Sequence, residues 1–337
     1  MLQSWRAVFA RFRALLRSNA AEVRAGFYAL LLSSGGDLVA GLTLGSITGT
    51  LETLPGLLVL VPAAIGMRGN VFGALGSRLG TAVHTGTFRM SGRRDTLVGQ
   101  NLAAAISMSL SVSLVLAFLA TYLVGIPWLT VIVAVLCGVV ALVALFASIR
   151  SRYPILRRIA RESLPVLVLA GTIDVIAGLT IEKRFESFLV YPALLVLVPP
   201  FLEDSGALGS ILSARVSTKL HLGTLVPGRG SLRSIGEDFL LVYMYAVPVF
   251  FLLGVSADIA ALIAGLKSPG SLEMIAVSML AGLIATTFAV LVGFYGAVAA
   301  HRLGLDPDNH GIPIVTSSLD LLGAVALILV IVALGLT

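Results

Sequence analysis

One cysteine and four histidines are all that 337 residues contain of the soft and imidazole metal ligands. Cys137 lies inside an apolar run. The chain can therefore build neither a disulfide framework nor a thiolate cluster, and packing is the simplest role for that side chain. Charge is scarce as well. Asp, Glu, Lys and Arg make up 12% of the chain, whereas 58% is hydrophobic. Soluble domains carry roughly 25% charged residues, so this chain cannot cover itself with a polar surface. A soluble enzyme or binding module is excluded and an integral membrane protein is predicted. The sequence contains no Walker-type phosphate loop, which argues against ATP-driven pumping. It also has no HExxH and no GxSxG.

The charge that is present is patterned. The net charge is +6, but Lys and Arg fall in short clusters between apolar runs rather than in one patch, which speaks against nucleic acid. A helical span needs about 20 mostly apolar residues. Such runs occur near 25–44, 54–76, 98–124, 128–149, 163–181, 190–212, 238–265, 274–300 and 313–336. They predict an all-α polytopic protein with about nine transmembrane helices. Every second connection is basic: Arg78, Arg89 and Arg93; Arg150, Arg157 and Arg161; Arg215, Lys219 and Arg233. By the positive-inside rule the N-terminus is cytoplasmic and the C-terminus outside, in the plasma membrane. Residues 1–24 lack the uninterrupted apolar core of a signal peptide. Trp5, Val8, Phe9, Phe12, Leu15 and Leu16 recur at helical spacing there, which predicts a basic amphipathic helix lying on the bilayer surface.

The chain also repeats itself. Shifted by 137 residues, DLVAGLT (37–43) falls on DVIAGLT (174–180) and PGLLVLVP (55–62) on PALLVLVP (192–199). Between 37 and 87 no gap is needed and 19 of 51 positions are identical, too many for apolar composition alone. Residues 25–160 thus form a first membrane repeat and 161–337 a second. Four spans precede the restart, so both halves enter the bilayer in the same direction. The predicted arrangement is two parallel pseudo-two-fold repeats, 4 + 5, folded as one fused pseudo-dimer with any transport pathway between the halves. The last span has no counterpart in the first half.

Carboxylates inside such spans are expensive unless they meet water, a partner or an ion. Asp37, Asp174, Glu203, Asp204 and Asp320 lie within predicted spans. Asp37 and Asp174 are mates under the repeat, and an approximate two-fold could bring both to one axis. Like charges held together repel unless a cation lies between them. Magnesium suits a site made of few carboxylates, carbonyls and retained water. Pro62, Pro199 and Pro200 are expected to bend the second spans and free carbonyls toward such an ion. Glu203 or Asp204 could instead pair with Arg68, and Asp37 and Asp174 could merely cross-link helices. Asp306, Asp308 and Asn309 match an EF-hand opening poorly and read as a turn at the cytoplasmic mouth.

The segments LVPAAIGMRGNVFGALGSRLGTAVHTG (60–86) and GLDPDNHGIPIVTSSLDLLGAVAL (304–327) resemble the membrane domain of MgtE-type magnesium transporters, in the branch of solute carrier family 41, whose chains hold two such domains. The resemblance covers nearly the whole chain beyond residue 24. It implies a divalent-cation pathway between the halves, lined by the second and fifth spans, and it implicates Gly69, Asn70, Pro313 and Asp320. The chain departs from the pattern in three ways. The first half lacks the fifth span, Ala207 stands where the repeat mate of Asn70 would be, and the connections are too short for a soluble regulatory domain.

The reading reached from the sequence is a transporter or channel for divalent metal cations, with Mg²⁺ as transported ion. It would be driven by membrane potential or by exchange with Na⁺ or H⁺ as coupling ion. The candidate ligands are Asp320, Glu203, Asp204, Asp37, Asp174, Asn70 and Gly69. The alternatives are an intramembrane lipid-processing enzyme that uses the aspartates as acid and base, and a non-transporting scaffold.

Overall fold

The computed structural model describes residues 20–53, 56–93, 95–124, 143, 146–226 and 235–336. Among them there is no strand. The elements are α1 (Ala20–Ser46), the short α2 (Thr48–Thr53), α3 (Leu60–His84), α4 (Leu97–Val124), α5 (Pro154–Glu182), the short α6 (Phe185–Val190), α7 (Ala193–His221), α8 (Gly236–Ile263), α9 (Ser271–Arg302) and α10 (Ile312–Ala333). A π-helical turn, Pro307–Gly311, leads into α10.

Among the described residues six stretches are long and apolar enough to cross a membrane: Val23–Ser46, Pro154–Glu182, Ala193–His221, Gly236–Ile263, Ser271–Arg302 and Asn309–Ala333. With the all-helical content they make this a polytopic membrane protein. α3 is 25 residues long but carries Arg68, Arg78 and five glycines. The expected span 128–149 lies almost wholly outside the described residues, as does the expected interfacial helix 1–24, of which only the last residues appear, at the start of α1.

α7 is the core of the bundle. Every residue from Ala193 to Leu202 is buried, as expected of a helix that is apolar all round. It packs against α1, α3, α8, α9 and α10. Between lipid-like side chains no hydrophobic force favours one helix pairing over another, so small residues and polar contacts decide the packing. A Cβ on Gly41 of α1 would collide with the carbonyl of Val196 in α7, and a Cβ on Gly178 of α5 would collide with the carbonyl of Val59, just before α3.

These two contacts are related by the 137-residue offset, and they are not alone. Arg78 Nε donates to Asn101 Oδ1 at 2.6 Å, and its mate Arg215 Nε donates to Asp238 Oδ1 at 2.8 Å. Ser34 meets Asp204, while their mates Gly171 and Met67 also face each other. α3 and α7 end alike, on Gly86 (φ 71°) and Gly223 (φ 68°). At both glycines the left-handed residue lets the next amide, of Thr87 or Thr224, return to Ala82 or Lys219, which satisfies otherwise orphaned carbonyls.

The prolines act differently from expectation. α7 runs unbroken through Pro199 and Pro200. Pro200 has no N–H to give the carbonyl of Val196, yet that freed carbonyl is turned to α1 and covered by Gly41, not toward an ion path. Of the helix glycines Gly73, Gly76, Gly206 and Gly209, Gly209 is filled most tightly, by Leu319 and Val315, Gly73 meets Ile312, and Gly76 has nothing within 4 Å of its missing side chain.

Candidate functional site

A cavity of about 480 Å³ opens between α3 and α7, with α10 forming part of its wall. Mates under the repeat line its two sides: Gly66 and Glu203, Gly69 and Gly206, Ser77 and Ala214. A second cavity of about 600 Å³ runs along the same interface, shares Gly76, Ser77 and Ala214 with the first, and is bounded by His84, Arg215 and Lys219. Small residues on both helices leave this space open.

Two carboxylates meet at one edge. Asp174 enters from α5 and Asp320 from α10, and an oxygen of each, Oδ2, lies directly against the Cα of Gly66 in α3; a Cβ there would strike both. Asp174 is fully buried and Asp320 is 2% exposed. Neither oxygen of Asp174 has a hydrogen-bond partner, and neither does Oδ2 of Asp320. Buried carboxylates without partners are rare because each leaves a large desolvation penalty uncompensated. Asp320 also lines the α3–α7 cavity, so the pair has an open side.

The other three acids have partners. Arg68 of α3 places Nη2 3.1 Å from Asp37 Oδ1 and 3.1 Å from Glu203 Oε1, so a single nitrogen bridges both carboxylates. Asp204 is fully buried, with Ser34 Oγ of α1 2.9 Å from each of its carboxylate oxygens. Successive residues of a helix point about 100° apart. Glu203 accordingly lines the cavity while its neighbour Asp204 turns to α1. Asp37 and Asp174 do not meet on an axis: the structure takes Asp37 to Glu203 through Arg68, and Asp174 to Asp320.

Asn70 is buried and clamped to α10. Its Nδ2 donates to Ser317 Oγ at 2.9 Å, and Thr316 Oγ1 donates to its Oδ1. It therefore fixes α3 against α10 beside Asp320. Gly69 lines the cavity with no side chain to contribute. Pro313 occupies the start of α10, where its missing N–H is harmless.

Three contacts were not foreseen from the sequence. Gly66 makes room for two carboxylates, and its only advance signal is that its mate is Glu203. Asn309, in the π-turn, accepts from Arg78 at 2.8 Å and donates to Glu162 at 2.8 Å, which ties α3, α5 and the turn together. Gln100 accepts from the amides of Ile155 and Leu156, capping α5 rather than its own helix.

Among the described residues no three His, Cys, Asp or Glu side chains cluster closely enough to hold a metal unaided. Asp174 and Asp320 can offer one or two carboxylates to a hard cation that keeps several waters.

A bundle of apolar helices around a cavity with carboxylates in its wall is a multi-pass membrane protein with a polar interior. The chain matches the MgtE family, described as divalent cation transporter, over residues 61–159 and 198–330, more than half of its length, and it belongs to that family. Solute carrier family 41 member 3 of Rattus norvegicus is 23% identical over 398 residues, covering 87% of this chain and 83% of the relative. Its counterpart in Mus musculus is 23% identical over 369 residues, covering 79% and 73%. No solved structure matches the chain. The family is one of transporters, so the protein is not an enzyme and the lipid-processing alternative falls.

Proposed function

We propose that the protein carries Mg²⁺ across the plasma membrane along the α3–α7 interface, with Asp320 and Asp174 as the carboxylates that meet the ion. One observation carries the reading: two adjacent, buried carboxylates, one of which opens onto the cavity, with both oxygens of Asp174 and Oδ2 of Asp320 lacking a hydrogen-bond partner. A divalent cation between them offsets a repulsion that the chain itself leaves unanswered. Gly69 and Gly206 keep the path wide, and Asn70 holds α10 in place.

The full architecture in this proposal is nine spans in two parallel repeats, residues 25–160 and 161–337, behind an interfacial helix at 1–24, with the N-terminus cytoplasmic and the C-terminus outside. The reciprocal contacts of Gly41 and Gly178, and of Arg78 and Arg215, support the pseudo-two-fold. A single chain then supplies both halves of the path. An inside-negative potential contributes about 4.6 kcal/mol per 100 mV to the entry of a doubly charged ion, so uptake needs no coupling ion. Exchange with Na⁺ or H⁺ is required only for efflux.

The test is Mg²⁺ entry into proteoliposomes that hold a Mg²⁺-sensitive dye, with a K⁺ diffusion potential, negative inside. Wild type accelerates entry over empty liposomes and Asp320→Asn abolishes that gain. Wild-type liposomes no faster than empty ones, or full activity in correctly folded Asp320→Asn, would overturn the proposal.

A further inference from the structure

The 137-residue offset maps the Asp174 neighbourhood onto another in the same chain, and the two are compensated differently. Asp174 on α5 becomes Asp37 on α1. Gly66 on α3 becomes Glu203 on α7, and Ser205 on α7 becomes Arg68 on α3. Each neighbourhood holds two carboxylates. On one side they are Asp174 and Asp320, the latter from the span that the first half lacks. On the other they are Asp37 and Glu203, with Glu203 standing where the mate has Gly66. The first pair has oxygens without partners. The second pair is bridged by the Nη2 of Arg68, at 3.1 Å to each carboxylate.

We propose that Arg68 is a tethered cation filling the pseudo-symmetric mate of the Asp174–Asp320 site, so that a chain with two acidic pockets binds one divalent ion instead of two. The inference rests on the transport reading given above and adds the reason for its asymmetry. Two carboxylates in a low-dielectric interior need a positive charge between them. A guanidinium whose single nitrogen touches both supplies it without leaving. Arg68 also lines the same cavity as Asp320, and its side chain is 46% exposed. An ion arriving through that cavity would therefore reach the Asp37–Glu203 pair if the guanidinium were absent. The fixed charge has a second effect, since it holds one side of the path occupied and leaves one carboxylate pair for the moving ion.

The experiment substitutes the residue found at the mate position. Purified wild-type protein, Arg68→Ser and Arg68→Lys are titrated with MgCl₂ by calorimetry, and their Tm is followed against log [Mg²⁺] at constant ionic strength. Wild type and Arg68→Lys bind one ion, and Asp320→Asn removes it. Arg68→Ser binds two ions, and its Tm rises about twice as steeply with log [Mg²⁺], as mass action requires for a second site. Where Arg68→Ser is too unstable to titrate, millimolar Mg²⁺ restores its Tm toward wild type and NaCl of equal ionic strength does not. One bound ion in Arg68→Ser, or a collapse that Mg²⁺ fails to reverse, overturns the inference and reduces Arg68 to an ordinary ion pair. Those outcomes leave the transport reading intact as long as wild type binds one Asp320-dependent ion. A wild type that binds none defeats the transport reading itself.

Discussion

Asp174 and Asp320, 146 residues apart in the chain, reach the same backbone position from two helices, because Gly66 presents no side chain to either. α3 is thereby the floor of the acidic pair, and its glycine is a condition for both carboxylates to be there. Gly66→Ala would put a Cβ into both groups. We expect Mg²⁺ flux in proteoliposomes to fall at least tenfold, whereas Gly35→Ala in α1, which lies outside the cavity and has nothing within 4 Å, keeps wild-type flux.

The pair also predicts the effect of removing the ion. With no cation present, two buried carboxylates repel whenever both are ionised, and three of their four oxygens lie without hydrogen-bond partners. Asp174→Asn removes one charge and keeps the shape. In chelator, at a pH high enough to ionise both groups, it should stabilise the protein by about 1–2 kcal/mol, a fraction of the Coulomb energy of close charges at an effective dielectric of about 20. It should also lose the Mg²⁺-dependent rise in Tm. Thermal unfolding in detergent, with and without MgCl₂, checks both signs.

Gly41 and Gly178 make a symmetrical prediction about packing. Each lies against a backbone carbonyl of the other half, Val196 and Val59. A backbone carbonyl cannot move aside as a side-chain tip can. Alanine at either site should destabilise by about 1–3 kcal/mol. Gly35→Ala, with open space around it, should change stability by less than about 0.5 kcal/mol.

At the other end of α7, Asp238 is 1% exposed and receives Arg215 at 2.8 Å together with Lys219. Its mate Asn101 receives Arg78 with no formal charge. Asp238→Asn would copy the mate but leave Lys219 with a weaker acceptor. The expected loss is about 2 kcal/mol, the typical worth of hydrogen bonds to charged groups with half-exposed partners. A denaturant titration in detergent measures it.

How far the sequence carried the reading can be seen from single residues. Asp320 and Asp174 stood out because a carboxylate in an apolar run is conspicuous wherever it points. Glu203 stood out equally, yet its charge is answered by Arg68, and Asp204 beside it is hydrogen-bonded by Ser34. Nothing within α7 separates these cases. The partners sit on α3 and α1, and a rotation of α7 by one residue would exchange them. The freed carbonyl of Val196 misled for the same reason: Pro200 announces that it is free, and only the neighbour, Gly41, decides what it faces.

What this sequence determined alone was its medium and its doubling. Apolar runs of span length require a bilayer whatever the helices then do, and a register that survives a shift of 137 residues is a property of the string itself. Which carboxylates remain unanswered was decided by tertiary structure. Compensation of a buried charge depends on the one or two side chains within about 3 Å, and here those side chains arrive from helices far away in sequence.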